Sequence, residues 1–425
     1  MSFNEDSRVK IPAILHLVRL GYTYIPRSQQ VREESSNIFS EIFIESIQKI
    51  NSGISADHAR RTLEEVLLKI DFEDLGQDFY KSLTDQSGIK LIDFKNFENN
   101  IFHVTTELSC RNGDEEFRPD ITVLINGMPL VFIEVKKPNN KNGVIEERDR
   151  INRRFKNKKF LKFANITQLM IFSNNMEYDS DEIEPIQGAF YATAAYADLG
   201  FNYFREEDEF NFDALLKPSD ENIENHILKE NNLISIKHSP EFETNKQIDS
   251  PTNRILSSLL LKERLAFVLK YSIAYVDKTD KNGNRKQEKH IMRYPQIFAT
   301  KAIEHKLEVG IRKGIIWHTQ GSGKTALTYY NVKHLTDYYQ KKSTIPKFYF
   351  IVDRIDLADQ ATKEFASRGL SVQRVNSKED FTKDIKRKYS RSQRQRESFN
   401  RRIYFVYGLK INNQRTSIPD AEPKS

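Results

Sequence analysis

RPDITVLINGMPLVFIEVKKP, residues 118–138, is the stretch from which the fold is predicted. Its two apolar runs, Ile121–Ile125 and Leu130–Val135, are rich in the β-branched and aromatic residues that favour strands. Asn126 and Gly127 between the runs form one of the strongest short signals for a β-hairpin. The sequence therefore predicts two antiparallel strands that are joined by a tight turn.

Three charged residues, Asp120, Glu134 and Lys136, stand at the open end of this hairpin. Because side chains alternate along a strand, Glu134 and Lys136 share one face. A two-residue loop would pair Asp120 with Ile133 and place Asp120 on the opposite face from Glu134. A three-residue loop, with Gly127 left-handed in a bulge, would shift the pairing by one residue and bring Asp120 to the same face. We expect the three-residue loop.

Two carboxylates and a lysine at one strand end suit Mg²⁺-dependent hydrolysis of phosphodiesters. Oxygen ligands such as those of Asp120 and Glu134 hold this hard cation, which activates water, while Lys136 adds positive charge. Charged residues also cap ordinary exposed hairpins, so the pattern alone leaves a structural interpretation open. The nuclease interpretation is favoured because Glu134 and Lys136 follow the apolar run LVFI, where an ionisable group is costly unless it serves a function.

Length and composition limit the class of protein. A chain of 425 residues has room for roughly three domain-sized units, and its net charge of +6 is only mildly basic. Cys110 is the only cysteine, which excludes internal disulfides and cysteine-based zinc sites. Residues 1–10 lack the apolar stretch of a signal peptide, and no run approaches the ~20 apolar residues of a membrane span. We expect a soluble cytoplasmic protein with no membrane partner.

The predicted elements divide the chain into three parts. Residues 1–237 alternate helices and strands, an α/β order that suits a small nuclease domain. Residues 238–309 combine a polar linker with a helical lead-in. Residues 310–425 carry a second chemical signal and the apolar run Phe348–Val352, which predicts a buried parallel strand.

A strongly charged helix is predicted after the hairpin, over Glu146–Phe163. Its candidates for contact with DNA phosphates are Arg148, Arg150, Arg153 and Arg154. A solvated helix face is the alternative interpretation of the same charges.

The second chemical signal is the glycine-rich loop HTQGSGKT, His318–Thr325. The apolar run Gly314–Trp317 precedes it and a helix-compatible segment follows, and strand, loop and helix in this order are the context of a phosphate-binding loop. The backbone N–H groups of such a loop hold phosphates at a helix N-terminus, Lys324 would reach the β and γ oxygens, and Thr325 would hold Mg²⁺. The predicted nucleotide-binding residues of the loop are Gly321, Ser322, Gly323, Lys324 and Thr325.

Five segments carry a resemblance to a known family: RPDITVLINGMPLVFIEVKKP (118–138), ITQLMIFSN (166–174), RYPQIFATKAI (293–303), GIIWHTQGSGKT (314–325) and FIVDRIDLADQ (350–360). Together they resemble the motor (R) subunit of type I restriction-modification enzymes. His318 stands where the general phosphate-loop motif has its first glycine, and in this family a histidine is usual there.

The resemblance implies an α/β fold, with a PD-(D/E)xK-type endonuclease domain followed by a partial RecA-like P-loop domain of the superfamily 2 helicases. It implies cleavage of double-stranded DNA by Asp120, Glu134 and Lys136, with Mg²⁺ held by the two carboxylates. It further implies ATP as a cofactor, with Gln296 against the adenine, and assembly with methylase and specificity subunits.

Two departures from the family are visible. The helix after the hairpin commonly carries a glutamine and an aromatic residue, and here Arg150 stands for the glutamine, with Arg154 or Phe155 for the aromatic. No acidic pair typical of the second phosphate-loop motif is identifiable after Thr325, and the family's motor continues through a second RecA-like domain. Two alternatives therefore stand beside the nuclease: a catalytically silent truncated fragment that binds DNA or ATP, and a P-loop ATPase whose acidic hairpin is only structural.

Overall fold

The computed structural model describes most of the chain, which folds as two units, residues 1–322 and 323–425. The described residues are 4–112, 114–138, 143–177, 189–196, 199–209, 211–279, 283, 285–319, 321–352, 354–375, 377–386 and 402–407. None of the helices in these ranges is both long and apolar enough to cross a membrane.

The first unit is a mixed α/β body. Its strands are β1 (Thr23–Tyr24), β2 (Phe102–Thr106), β3 (Cys110–Asn112), β4 (Glu115–Phe117), β5 (Ile121–Ile125), β6 (Met128–Val135), β7 (Leu169–Ser173), β8 (Ala189–Ala192), β9 (Asn202–Tyr203), β10 (Ile273–Thr279) and β11 (Arg285–Ile291). Its α-helices are α1 (Ile11–Arg19), α2 (Ser40–Ile50), α3 (Ala56–Lys69), α4 (Gln77–Thr84), α5 (Gly143–Lys156), α6 (Leu161–Ile166), α7 (Phe212–Leu215), α8 (Glu221–Glu230), α9 (Pro240–Asn245), α10 (Pro251–Leu260), α11 (Lys262–Tyr271) and α12 (Tyr294–Glu308). A π-helix, Asp6–Lys10, leads into α1, and short 3-10 turns lie at Arg27–Gln29, Phe97–Asn99, Lys158–Phe160 and Ile234–Ile236.

A seven-stranded sheet forms the centre of this unit, in the order β1-β2-β5-β6-β7-β8-β9. The pairs β1–β2 and β6–β7 are parallel and the other four neighbouring pairs are antiparallel. The connection between the parallel strands β6 and β7 carries α5 and α6, as a crossover between parallel neighbours requires. Every residue of β5, β6 and β7 is buried, so the hairpin predicted from the sequence is confirmed and lies in the middle of the core.

The hairpin turn differs from the expected one. Ile125 pairs with Met128, so only Asn126 and Gly127 lie between the paired residues and the expected three-residue loop is wrong. Both turn residues have positive φ, 51° and 77°, as a tight turn between twisted antiparallel strands demands.

A β-bulge supplies the change of face that the loop was expected to supply. Leu130 is skipped in the pairing of β5 with β6, and beyond it Ile121 pairs with Ile133. One extra residue in one strand shifts the pairing of every later residue by one, and so changes which side chains of the two strands share a face. Continuing this register by one pair brings Asp120 opposite Glu134.

The turn is buried against the rest of the unit. The Asn126 side chain accepts a hydrogen bond from the backbone N–H of Ile101 at 2.8 Å and donates to the Leu91 carbonyl at 2.9 Å. The Gly127 carbonyl accepts from the backbone N–H of Phe39 at 2.9 Å, at the start of α2. Because the polar groups of the turn are satisfied inside the protein, its register is fixed from both sides.

Two other sequence expectations are corrected in this unit. The single helix expected over 146–163 is divided into α5 and α6, with a 3-10 turn between them. The apolar run Gly314–Trp317 forms no strand, and Ile315 and Trp317 are 90% and 91% exposed. A run of this kind becomes a buried strand only where a neighbour accepts its backbone hydrogen bonds, and no strand in the described ranges pairs with it.

The second unit contains the helices α13 (Lys324–Lys341), α14 (Ile355–Ala366) and α15 (Lys378–Lys386) and the strands β12 (Phe348–Val352), β13 (Ser371–Val375) and β14 (Arg402–Tyr407). The strands form a parallel sheet in the order β12-β14-β13. The strand predicted over 348–352 is confirmed and is parallel, although it is not fully buried, since Ile351 is 56% exposed.

The packing of the turn predicts a large cost for adding a methyl group at Gly127. A Cβ there would lie 2.7 Å from the Phe39 carbonyl oxygen and 2.8 Å from the Phe43 nitrogen, whereas at Gly53, with φ of +83°, it would meet nothing within 4 Å. Gly53→Ala measures the left-handed strain alone, about 1–2 kcal/mol. We expect Gly127→Ala to lower the free energy of unfolding by roughly 1–3 kcal/mol more than that. Urea denaturation followed by circular dichroism measures both, and equal costs would contradict the packing described here.

Candidate active site

Lys136 lies at the centre of a group of carboxylates, called here the carboxylate cluster: Glu5, Asp120, Glu134 and Glu147. Its Nζ is 3.6 Å from Glu147 Oε2 and 3.8 Å from an oxygen of each of the other three. The same Nζ donates a hydrogen bond to the Val135 carbonyl at 2.9 Å. Burial lowers the pKa of the Lys136 ammonium, but the four negative charges outweigh it and the pKa is raised. The lysine is therefore charged at neutral pH.

Asp120 is held in place by the backbone of the neighbouring strand. Its Oδ2 accepts a hydrogen bond from the Val135 N–H at 2.9 Å, across the end of the hairpin. This contact follows from the bulge at Leu130, because without it Asp120 would face the other side of the sheet. The structure thus brings Asp120, Glu134 and Lys136 together, as expected from the sequence. The cause is the β-bulge and not the expected three-residue loop.

Glu134 is 4% exposed at the end of a strand that is buried throughout. Burial, and then the nearby charges of Asp120 and Glu147, raise the pKa of its carboxyl well above the ordinary value. Burial also raises the pKa of Glu5, which precedes the N-terminal π-helix. A site that keeps such groups at a strand end bears a cost in stability, which is typical of functional sites.

Glu147 is the member of the cluster that sequence reasoning missed. It lies on α5 and is 1% exposed. The buried residues of that helix are Gly143, Val144, Glu147, Ile151 and Phe155, so an acid occupies a position where the helical period calls for an apolar side chain. That misfit was the available signal. Glu147 contributes its carboxylate to the site from the same turn of α5 as Arg150, the residue that stands where the family commonly has a glutamine.

The four arginines predicted to contact DNA phosphates differ in their surroundings. Arg150 donates a hydrogen bond to Glu147 Oε2 at 2.8 Å, and Arg154 Nη1 lies 3.5 Å from Glu147 Oε1. The guanidinium of Arg154 also stacks 4.5 Å from the centre of the Phe117 ring. Arg148 is half-buried, and Arg153 is exposed. Arg153 therefore fits a solvated helix face best, whereas Arg150 and Arg154 are engaged by a carboxylate of the cluster.

The donor atoms of the site fit a hard divalent cation. Mg²⁺ is commonly held by one or two carboxylates together with water and substrate oxygens, and Asp120 and Glu134 supply such oxygens at one strand end. Within the described residues, His, Cys, Asp and Glu side chains form no group of three or more that is arranged to hold a metal ion. The pair Asp120 and Glu134, predicted from the sequence, remains the candidate set of ligands.

The glycine-rich loop has the backbone of a helix start. Gly321 and Gly323 both have φ of 80°, and Gly323 caps α13, which begins at Lys324 and includes Thr325. The helix-compatible segment that follows the loop in the sequence is thus confirmed as a helix. Ser322 Oγ donates to the Thr319 carbonyl at 2.8 Å. Left-handed glycines before a helix N-terminus are the geometry of anion-binding loops.

Gln296, expected against adenine, is 4% exposed and lies in the first turn of α12. Its Oε1 accepts a hydrogen bond from the Arg293 N–H at 2.9 Å and so caps that helix. Its Nε2 lies 3.5 Å from the Ser322 carbonyl, a long contact toward the glycine-rich loop.

Comparison with known proteins gives the family. Residues 2–179 match the sequence model of the family described as type I restriction enzyme R protein N terminus. This part of the chain belongs to that family. Residues 295–395 match the model described as SWI2/SNF2 ATPase, so the chain continues from an R-protein N terminus into a helicase-like part.

Several type I restriction enzyme endonuclease subunits are similar to this chain along most of its length. The MjaVIIP endonuclease subunit of Methanocaldococcus jannaschii is 26% identical over 70% of this chain. The HindI endonuclease subunit of Haemophilus influenzae is 26% identical over 78%. The chain spans 24%, 36% and 24% of the lengths of three Methanocaldococcus jannaschii relatives.

The raised pKa of Glu134 predicts that neutralising this residue stabilises the metal-free fold. A carboxyl whose pKa is higher in the folded state stabilises that state below its unfolded pKa, and the contribution is lost as pH rises through the folded pKa. We therefore expect Glu134→Gln to raise the melting temperature at pH 8 and to leave it nearly unchanged at pH 4. A folded pKa that lies one pH unit above the unfolded pKa corresponds to about 1.4 kcal/mol.

Thermal unfolding in a chelator measures this effect, with the exposed Glu64→Gln as the control. A lower melting temperature for Glu134→Gln at pH 8 would contradict the raised pKa.

Proposed function

We propose that the N-terminal part of this chain is a Mg²⁺-dependent PD-(D/E)xK-type endonuclease that cleaves double-stranded DNA. The observation that carries the proposal is the ring of carboxylates around Lys136 Nζ at 3.6–3.8 Å, at the end of a buried strand in a domain of the R-protein N-terminal family. Its relatives are named endonuclease subunits. By that relationship, methylase and specificity subunits are the proposed partners in the assembled enzyme, and the chain alone retains metal-dependent cleavage that does not require ATP.

The residues of the site have separable tasks in this proposal. Asp120, fixed by the Val135 N–H, and Glu134 present carboxylate oxygens to one space, where Mg²⁺ would be held. The cation, when bound, activates water and offsets the negative charge that develops on the phosphate oxygens. Lys136 holds its protons, since its pKa is raised, and adds a fixed positive charge beside the attacked phosphate.

We propose the organisation expected from the sequence for the whole chain. Residues 1–237 are the nuclease domain, 238–309 the connecting segment, and 310–425 part of a RecA-like ATP-binding domain. The match of residues 295–395 to a SWI2/SNF2 ATPase and the left-handed glycines before α13 support the last assignment. In it Lys324 and Thr325 bind the phosphates and their Mg²⁺, with Gln296 against the adenine.

Cleavage should depend on Asp120 and Lys136 and not on their exposed neighbours. We expect the full chain to nick plasmid DNA with Mg²⁺ and without ATP, Asp120→Asn to abolish nicking, and Lys136→Gln to slow it by roughly 10²–10³-fold, the cost of losing one fixed charge-stabilising group. Lys137→Gln makes the same change one residue away on an exposed side chain and should leave the rate unaltered.

If the Asp120→Asn variant nicked DNA at the wild-type rate, the acidic hairpin would be only structural. Failure of the wild-type chain to nick DNA would favour a catalytically silent fragment. Melting temperatures of all variants separate loss of chemistry from loss of fold.

The glycine-rich loop should bind nucleotide without efficient turnover. Hydrolysis also needs a carboxylate that orients water and Mg²⁺ and an arginine from a facing domain, which is worth about 10³–10⁵ in rate. Neither is identifiable in the sequence after Thr325. We therefore expect weak ATP binding that Lys324→Ala removes, that Lys341→Ala at the end of the same helix retains, and that duplex DNA does not convert into ATPase activity. Turnover on the order of 1 s⁻¹ that Lys324→Ala abolishes would contradict this.

A further inference from the structure

Three polar atoms meet in the buried part of the site without hydrogen bonds. Glu134 Oε1, Glu147 Oε1 and Arg154 Nη1 are all shielded from solvent, and none has a hydrogen-bond partner among the described residues. Buried polar atoms in folded proteins are nearly always hydrogen-bonded, and these three contact one another only as ion pairs at 3.5 and 4.0 Å, which leaves hydrogen-bonding capacity for a group from outside the chain. Glu134 and Glu147 are 4% and 1% exposed, which makes these atoms part of the interior and not of a loose surface.

The two carboxylates separate two cations. Their Oε2 atoms face Lys136 Nζ, at 3.8 Å for Glu134 and 3.6 Å for Glu147. Their Oε1 atoms face Arg154 Nη1, at 4.0 Å and 3.5 Å. Lys136 and Arg154 therefore flank the Glu134 carboxylate, one on each of its two oxygens.

Arg154 is also fixed in a way that suits recognition of a phosphate. Its guanidinium stacks on Phe117, on β4 just before Asp120, and 18% of its side chain stays exposed. A guanidinium presents five donors in a planar fork that matches phosphate oxygens, and stacking on a ring leaves its edge for such contacts. Glu147 holds the group electrostatically, while Arg150 offsets the remaining charge of Glu147 at 2.8 Å.

We propose that Arg154 is a second phosphate-binding cation of the nuclease site, held there by Glu147, and that it contacts the non-bridging oxygens of the phosphodiester that is cleaved. The inference rests on the proposed nuclease function. Arg154 keeps all its protons throughout. It offsets the negative charge that develops on the phosphate in the transition state, as Lys136 does from the other side.

The test compares Arg154 with the neighbouring exposed Arg153 in the full chain. We expect Arg154→Gln to slow single-turnover nicking of a supercoiled plasmid, at saturating protein and with Mg²⁺, by roughly 10²–10³-fold. Arg153→Gln removes the same charge one residue away and should nick at the wild-type rate. Arg154→Lys keeps the positive charge without the planar guanidinium, and its nicking rate should lie between those of the wild type and Arg154→Gln.

A second variant keeps the test decisive if Arg154→Gln does not fold, since that change leaves two buried carboxylates short of a counter-charge. The double variant Glu147→Gln/Arg154→Gln removes one charge of each sign and should melt near the wild-type temperature. We expect it to remain as slow as Arg154→Gln. Its affinity for a short fluorescein-labelled duplex in Ca²⁺, measured by anisotropy, should depend less steeply on salt, with a logarithmic slope smaller by about one.

Three results would overturn the inference. Wild-type nicking by the double variant would make Arg154 only a counter-charge for Glu147. Equal rates for Arg154→Gln and Arg153→Gln would place Arg154 among the general basic residues of the helix. Both results leave the proposed function intact, because wild-type nicking that Asp120→Asn abolishes is measured alongside. Absence of wild-type nicking would overturn the proposed function and this inference together.

Discussion

Two buried carboxylates, Glu134 and Glu147, lie between two cations, Lys136 and Arg154, and this balance of charge is the constraint on which the site depends. Moving a carboxylate from water into a protein costs several kcal/mol unless it is paired. An apolar group of similar size at the end of β6 would often be at least as stable. Since every other residue of β6 is apolar, the charges at this point are best understood as serving chemistry and not folding.

The backbone that delivers these charges is specified by a few local features. The tight turn at Asn126 and Gly127 is locked by hydrogen bonds from the interior, so the hairpin cannot slip from the turn end. The bulge at Leu130 then sets which face Asp120 takes. The position of the acid therefore depends on a register that is fixed far from it along the same two strands.

The sequence predicts the hairpin, its charged end and the loop before α13 because each is encoded locally, by β-branched runs, an Asn-Gly pair and a glycine-rich motif. It does not predict the bulge, since skipping Leu130 depends on how β6 packs between β5 and β7. The sequence does not single out Glu147 as a site residue, because one acid within a highly charged helix stands out only when the buried face of that helix is known. The run Gly314–Trp317 has the composition of a strand, yet composition cannot supply the neighbouring strand that would pair with it.

A direct measurement of the central claim, that the carboxylates around Lys136 form a cation-dependent nuclease site, is the anomalous scattering of Mn²⁺ in crystals of the full chain soaked with that ion. We expect a peak between the carboxylates of Asp120 and Glu134, within about 2.0–2.6 Å of an oxygen of each, the distances of hard cations to oxygen ligands. The peak should disappear in Asp120→Asn. A Mn²⁺ ion found elsewhere, with the cluster still closed around Lys136, would contradict the claim.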